Sequence, residues 1–312
     1  MFQFNFGAKL AQLRKQKGLS QAILSDGIMS REYLSQIENG HRMPNSQDVL
    51  QLFERLGYTP DQFMSQITDI DEHDAIILRD TFRNAQAFYD EETMNRLLEK
   101  MENNKIFEKG IFLQFKLRCK ATICWRFGKD AGAAQEILFE AIRITIPDFD
   151  EELADTFLYG HCDIEIIILI ADIYFECGKR RKSVKLLENV AKSIRKYYVT
   201  PHNRARALCF IQYYLCTNLG IMGKYKKSLK ICNEAIDMAK KERIFEMLPS
   251  LNYCKACALF YLGNREEAKD IFFQVYGCYL IFGRNSEVLQ LENFASKELK
   301  FDLSQKCLEM WV

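Results

Sequence analysis

The chain has 312 residues, of which 48% are hydrophobic, and this length predicts two or three domains with a substantial buried core. A net charge of +1 excludes a protein that is basic over its whole length, and the sequence has no run of about 18 apolar residues that would predict a transmembrane helix. Eleven cysteines lack the spacing of a disulfide framework or a zinc site, so we expect reduced, mostly buried thiols in a cytoplasmic protein without metal or cofactor.

Alternating runs of β-branched residues are almost absent from the sequence, which predicts an all-α protein. The first domain, residues 1–67, is expected to be a bundle of five helices. Phe6, Leu10 and Leu13 recur at helical spacing, and Gly18 ends this first helix. The other four helices are expected at about residues 21–27, 31–39, 46–56 and 60–66.

The second and third predicted helices form a helix-turn-helix motif within residues 20–39. Ser20 and Ser30 precede these helices as N-cap residues, whose hydroxyl groups accept hydrogen bonds from free backbone amides. A short turn at Ile28–Met29 joins the helices, and Gly40 closes the second one. This geometry presents the first residues of the second helix to the major groove of DNA.

Polar side chains on the outer face of the motif are the candidate DNA contacts. In the third helix Leu34 and Ile37 form the apolar face, so its polar residues point outward. Arginine suits guanine and glutamine suits adenine, and residues 1–45 have a local charge of +3. The predicted DNA-binding residues are Gln21, Ser30, Arg31, Glu32, Ser35, Gln36, Asn39 and Arg42. We expect Gln21 to contact a phosphate or to brace Gln36.

The second domain, residues 68–312, carries a repeat anchored on glycines 128, 178, 223 and 263, which are 50, 45 and 40 residues apart. Small residues stand seven positions before and five after each glycine, and larger ones nine after. They are Ala121, Ala171, Cys216 and Ala256, then Ala133, Ser183, Ser228 and Ala268, then Ile137, Leu187, Cys232 and Phe272. Small residues beside a tight turn allow two antiparallel helices to pack closely. The pattern resembles the tetratricopeptide repeat and predicts a superhelix of five helix pairs, followed by a cap helix at 285–300.

Inward-facing side chains of these repeats are the candidate ligand contacts, because the first helix of each tetratricopeptide pair lines the concave face. Aromatic side chains can contact the apolar side chains of an extended peptide, and asparagine can pair with both a donor and an acceptor of its backbone. The predicted peptide-binding residues are Arg118, Arg126, Tyr213, Tyr214, Asn218, Asn252 and Tyr253.

The strings GLSQ at residues 18–21 and YLSQIENG at residues 33–40 closely resemble the Cro/repressor type of helix-turn-helix. This resemblance implies a lambda-repressor-like fold for the five-helix first domain. With its short turn and the repeats behind it, the chain resembles the peptide-responsive quorum-sensing regulators Rgg, NprR, PlcR and PrgX of Firmicutes. This resemblance implies a homodimer that binds a palindromic operator in double-stranded DNA and is switched by a short signalling peptide. In that family asparagines hold the peptide backbone, which singles out Asn218 and Asn252, followed by Asn203.

Three other interpretations are weighed against this one. An enzyme is disfavoured because the histidines form no recognisable triad or zinc spacing; they are His41, His73, His161 and His202. A second alternative is a helix-turn-helix repressor whose repeat domain docks a partner protein, and a third is a mobile-element repressor with the same DNA-binding head. The sequence does not define activation or repression, the operator, the peptide, the target genes or the dimerising surface.

Overall fold

The computed structural model of the chain describes residues 6–58 and 70–299. All regular secondary structure in these ranges is helical, which confirms the all-α prediction. The chain divides into two compact units, Met1–Arg83 and Asn84–Val312. The expected domain boundary after residue 67 and the expected fifth helix at 60–66 lie outside the described residues. None of the described helices is both long and apolar enough to cross a membrane.

The first unit contains the helix-turn-helix. Its described helices are α1 (Phe6–Gln16), α2 (Gln21–Ser25), α3 (Arg31–Glu38) and α4 (Ser46–Arg55), and the unit boundary falls within α5 (Ile70–Ala87). The two predicted caps are confirmed: the Ser20 hydroxyl accepts from the amide of Ile23 at 3.2 Å, and the Ser30 hydroxyl from that of Tyr33 at 3.1 Å. Helix α2 ends at Ser25, two residues before the expected end, and Gly27 then adopts a left-handed φ of +69°.

Helices α1 and α3 approach each other so closely that one position admits only glycine. Gly7 lies under the C-terminal part of α3, where an added Cβ would stand 1.8 Å from the carbonyl oxygen of Ile37. Nine buried apolar residues between Phe6 and Leu56 form one core cluster in this unit. They are Phe6, Leu10, Leu13, Leu24, Leu34, Ile37, Leu52, Phe53 and Leu56.

The second unit is an array of antiparallel helix pairs. After α5 its helices are α6 (Glu91–Glu102), α7 (Gly110–Arg126), α8 (Ala131–Arg143), α9 (His161–Glu176), α10 (Arg180–Tyr197), α11 (Pro201–Ile221), α12 (Tyr225–Lys241), α13 (Leu248–Tyr261), α14 (Arg265–Ile281) and α15 (Asn285–Phe294). The predicted cap helix ends earlier than expected, at Phe294, and a π-helical turn follows over Ala295–Leu299.

The first helices of four pairs form a continuous layer. Helix α7 packs on α8, α9 on α10, α11 on α12 and α13 on α14, and in addition α7 contacts α9, α9 contacts α11, and α11 contacts α13. Direct contact between successive first helices is typical of the inner layer of a helical-repeat superhelix, where the spacing between repeats is smallest. The predicted tetratricopeptide-like arrangement is therefore present.

The turn glycines follow the predicted repeat at three of four turns. Gly178, Gly223 and Gly263 adopt left-handed φ values of +80°, +72° and +95°. At the first turn Lys129, with φ of +55°, takes this role instead of Gly128. Gly128 is required there for space, because a Cβ would lie 2.8 Å from the carbonyl oxygen of Cys124.

This displacement by one residue also corrects the predicted packing of the first pair. The expected positions, Ala133 and Ile137, are only half-buried, whereas the following residues, Ala134 and Leu138, are fully buried. Counted from Lys129, the buried residues again stand five and nine positions after the left-handed residue. The packing rule therefore depends on the backbone conformation of the turn.

Candidate functional sites

The outer face of α3 presents the predicted DNA-binding side chains to solvent. Among the predicted residues, Ser35 and Gln21 are half-buried, and the others are exposed: Ser30, Arg31, Glu32, Gln36, Asn39 and Arg42. The guanidinium of Arg42 lies over the ring of Tyr33, 5.6 Å from its centroid, which holds this charge beside the helix. The structure therefore gathers one continuous, mostly solvated polar surface around α3.

A buried ion pair supports this surface from below. Arg14 Nε and Nη2 donate to the two oxygens of Glu38 at 2.6 and 2.8 Å, and Arg14 Nη1 donates to the carbonyl of Leu19 at 2.7 Å. Gln21 Nε2 donates to Glu38 Oε2 at 2.8 Å, so Gln21 braces Glu38, and the expectation that it braces Gln36 is wrong. Because α1, α2 and α3 each supply one member of this cluster, it fixes the three helices together.

The Glu38 carboxylate is stabilised in its charged form. Burial opposes its ionisation, but the hydrogen bonds from Arg14 and Gln21 outweigh burial and hold the pKa of Glu38 below its usual range. The hydrogen bond to Glu38 likewise raises the pKa of Arg14, which burial alone would lower. The pair is therefore charged on both sides at neutral pH.

A second support was not expected from the sequence. Arg55, in the last turn of α4, donates to the carbonyl of Leu24 at 3.1 Å and also to the carbonyl of Asp26. These carbonyls lie at the C-terminal end of α2, where backbone acceptors lack partners within the helix. Nothing in the sequence near Arg55 indicates this contact, because it joins residues about thirty positions apart.

In the second unit, two arginines of α7 form ion pairs with acids of α9. Arg118 is buried: it donates to Gln86 Oε1 at 2.6 Å and lies 3.4 Å from Glu165 Oε2. Arg126 is more exposed and lies 3.4 Å from Asp172 Oδ2, which also accepts from Trp125 Nε1 at 2.8 Å. Each arginine therefore has an acidic partner, and the formal charges of the two ion pairs sum to zero.

Aromatic side chains of α11 continue this face. The ring of Tyr214 lies 5.0 Å from that of Tyr213 and 5.7 Å from that of Phe210. Burial raises the pKa of Tyr214 to about 12, an effect that Arg126 opposes and Asp172 supports, so Tyr214 lies close to that ion pair. The structure thus brings two predicted residues, Arg126 and Tyr214, together with Asp172.

The remaining predicted ligand residues are placed differently. Asn218 is buried, and its amide donates to the Ser183 hydroxyl at 3.0 Å, which joins α11 to α10. The half-buried Asn252 donates to the carbonyl of Leu248 in its own helix at 2.8 Å. Tyr253 is half-buried, and its ring packs edge-on against the rings of Phe272 and Phe294, with centroid distances of 6.0 and 6.4 Å.

The comparisons with known proteins identify the first unit and the overall fold. Residues 10–63 match a family model described as Helix-turn-helix. No curated protein matches the sequence. PlcR of Bacillus thuringiensis, in complex with the peptide PapR7 and DNA, is 19% identical, with 93% of this chain and 99% of that chain covered and a TM-score of 0.71.

Two streptococcal structures show the same fold. The SHP pheromone receptor Rgg2 of Streptococcus dysgalactiae is 16% identical, covering 94% of this chain and 99% of that chain with a TM-score of 0.57. ComR of S. thermophilus, in complex with DNA and its signalling peptide ComS, is 15% identical, covering 92% and 97% with a TM-score of 0.58. The likeness extends over almost the whole chain, so both units and their order along the sequence are shared with these proteins.

Proposed function

We propose that this chain, which has the fold of PlcR, Rgg2 and ComR, is a DNA-binding transcriptional regulator whose repeat unit binds a short signalling peptide. It acts as a homodimer on a palindromic operator. Binding of the peptide biases the repeat unit between two arrangements and so changes how the two DNA-binding heads engage the operator. No enzymatic step is part of this function.

The observation that carries the DNA-binding part is the exposed polar face of α3. Arg31, Glu32 and Gln36 lie on the solvent side of a helix whose opposite side is fixed by the Arg14–Glu38 pair. A rigid helix with exposed arginine and glutamine is suited to reading base edges in the major groove. Ser30, Ser35, Asn39 and Arg42 then contact the phosphate backbone, and Gln21 serves as the brace behind α3.

The peptide-binding part is supported by the composition of the first-helix layer. Arg126, Tyr213, Tyr214 and Tyr253 are half-buried, so a ligand can reach them without unfolding the repeats. Asn252 has the chemistry to pair with a peptide backbone. Arg118 and Asn218 are buried and bonded to neighbouring helices, and in this proposal they shape the groove from behind.

Selection of duplex DNA from a random pool on the full-length protein tests the DNA-binding part. We expect enrichment of sites with two inverted half-sites, because a homodimer imposes its own symmetry on the operator. The Arg31→Ala variant, passed through the same selection, is expected to lose preference at one base pair of each half-site. Enrichment without inverted symmetry contradicts the homodimeric operator complex.

A thermal-shift screen tests the peptide-binding part. Short peptides encoded beside the gene are added to the full-length protein, and a specific ligand raises the unfolding temperature by mass action. At a concentration of one hundred times the dissociation constant, the stabilisation is about 2.7 kcal/mol. Stabilisation by a folded partner protein, with none by any of these peptides, contradicts the peptide ligand and supports a docking function.

A further inference from the structure

The two arginines of α7 differ in how firmly their acidic partners hold them. The Arg118 side chain is 4% exposed and is held by Glu165, by Gln86 and by the ring of Phe115, 5.3 Å away. The Arg126 side chain is 34% exposed. Its 3.4 Å separation from Asp172 is longer than an N–H···O hydrogen bond, so this guanidinium is paired by charge but not by a formed hydrogen-bond fork.

Asp172 has a second partner besides Arg126, the indole of Trp125. Its Oδ2 accepts a 2.8 Å hydrogen bond from Trp125 Nε1, and its side chain is 22% exposed. When Arg126 turns to another carboxylate, Asp172 therefore keeps a hydrogen bond and some contact with water. The exchange replaces one ion pair by another, so it costs little, and a two-pronged arginine–carboxylate contact is stronger than the loose pair it replaces.

Aromatic side chains lie beside the Arg126–Asp172 pair. Tyr214 lies beside the ion pair, and its pKa of about 12 keeps the phenol protonated at neutral pH, so it is available as a neutral hydrogen-bond donor. The rings of Tyr213 and Phe210 pack against Tyr214. A ligand group at this place therefore meets one displaceable positive charge next to an aromatic surface.

We propose that Arg126 anchors a carboxylate of the bound peptide, with Asp172 as the group that the carboxylate displaces and Tyr214 as its neighbour. The residues of the ligand next to this carboxylate are apolar or aromatic, because they lie on Tyr213, Tyr214 and Phe210. This inference rests on the peptide-binding function proposed above. The carboxylate comes either from the C-terminus of the peptide or from an acidic side chain.

The test uses defined synthetic probes and the full-length protein. A pool of random heptapeptides with free C-termini is enriched on the protein, and the tightest binder is made in three forms: unmodified, with a C-terminal amide, and with its acidic side chains replaced by the corresponding amides. Calorimetry is expected to show that one neutralised form binds at least about tenfold more weakly. Which form loses affinity identifies the source of the carboxylate.

Variants then assign the effect to Arg126. In Arg126→Gln the difference in affinity between the acid and neutralised peptides is expected to fall below about twofold. Arg126→Lys keeps the charge but not the two-pronged geometry, so its affinity difference should lie between those of the wild type and Arg126→Gln. Asp172→Asn keeps an acceptor for Trp125 and removes the competitor, so it binds the acid form more tightly. Arg143→Gln, at an exposed arginine in the last turn of α8, is the control and leaves all affinities unchanged.

Two results overturn the inference. Equal binding of all three peptide forms by the wild-type protein shows that no ligand carboxylate is recognised, while peptide binding itself stands. Unchanged discrimination by Arg126→Gln, with a wild-type circular dichroism spectrum, places the carboxylate elsewhere. Failure to enrich any heptapeptide is a different outcome, because it removes the peptide-binding function and this inference with it.

Discussion

Glu38 lies where α1, α2 and α3 meet, and its carboxylate accepts hydrogen bonds from Arg14 and Gln21. Removing one partner of such a buried pair leaves the other charge without compensation. The resulting loss of stability is much larger than the net stabilisation that the intact pair provides. The orientation of α3 therefore depends on these three polar side chains. Loss of any of them is expected to affect the whole surface of α3, because the helix would shift relative to α1 and α2.

Glu38→Gln is expected to destabilise the first unit by about 3 kcal/mol, because Arg14 stays buried without its anionic partner. Hydrogen exchange of the amides of α3, measured by mass spectrometry, reports this loss locally. Glu54→Gln, an exposed acid of α4, serves as the control and is expected to leave the exchange unchanged.

The pH dependence of stability follows from the lowered pKa of Glu38. A carboxyl group with a lower pKa in the folded state contributes stability above its unfolded pKa and loses it as the pH falls through the folded value. We therefore expect protection of α3 to decrease on acidification below about pH 4.3, the ordinary pKa of glutamate. In Glu38→Gln this acid-dependent part of the decrease should be missing; its persistence would assign it to other carboxyl groups.

Arg31→Ala is expected to weaken binding to a selected operator by about 1–3 kcal/mol, the range for loss of a bidentate base contact. Because Arg31 is exposed, the unfolding temperature should stay unchanged. Affinity is measured by fluorescence anisotropy at fixed salt concentration, since phosphate contacts make all such affinities salt-dependent. A uniform loss over all DNA sequences would identify Arg31 as a phosphate contact instead.

Single residues were predictable from sequence where helical periodicity decides their exposure. Leu34 and Ile37 define the buried side of α3, so Arg31, Glu32 and Gln36 had to be outside. The Arg14–Glu38 pair was missed, since charged residues are rarely buried and both were counted as surface charge. A signal was present: Arg14 and Glu38 stand four positions after Leu10 and Leu34, on the buried faces of their helices.

At the scale of elements, the contact between α1 and α3 depends on the absence of a side chain at Gly7. An added methyl group would stand 1.8 Å from the carbonyl oxygen of Ile37, and neither partner is the flexible end of a side chain. The helices would have to separate, and the apolar residues between them would lose contacts. This requirement was invisible in the sequence, because glycine in a helix usually signals only a weak helix former.

Gly7→Ala is expected to destabilise the first unit by about 2–3 kcal/mol through overpacking, despite the better helix propensity of alanine. Gly220→Ala is the matched control: Gly220 lies in helix α11 with nothing within 4 Å of an added Cβ, so alanine should stabilise that helix by about 0.5–1 kcal/mol. Urea denaturation followed by hydrogen exchange measures both changes. If Gly7→Ala stabilised the protein as Gly220→Ala is expected to, this result would contradict the tight α1–α3 contact.

The repeat units were predictable because a tight turn between antiparallel helices demands small residues on both sides. Ser183 and Ser228 are indeed buried at the expected positions, and the Ser228 hydroxyl donates to the carbonyl of Cys216 at 2.9 Å. The pattern failed by one residue at the first turn, since Lys129 carries the left-handed conformation that glycine usually takes. Backbone conformation of this kind cannot be inferred from composition alone.

The specific pairing of Arg126 with Asp172 was also beyond prediction, because it joins residues of two different repeats.

At the scale of the whole molecule, the division into two compact units predicts two unfolding transitions. Operator DNA should raise the temperature of one transition and a groove-binding peptide that of the other, each by mass action. Differential scanning calorimetry of the full chain, with each ligand separately and with both together, measures these shifts. A single transition that moves with either ligand would show that the two units unfold as one.

The layer of α7, α9, α11 and α13 gives the repeat unit the character of a one-dimensional chain, in which each pair is stabilised mainly by its immediate neighbours. Such a chain opens from its ends, one pair after another, and its cooperativity is limited by the weakest link between neighbours. A ligand held by Arg126 on α7, beside Asp172 on α9 and Tyr214 on α11, spans three successive pairs. Its binding would couple those links, so that pairs which open independently without the ligand would open only together.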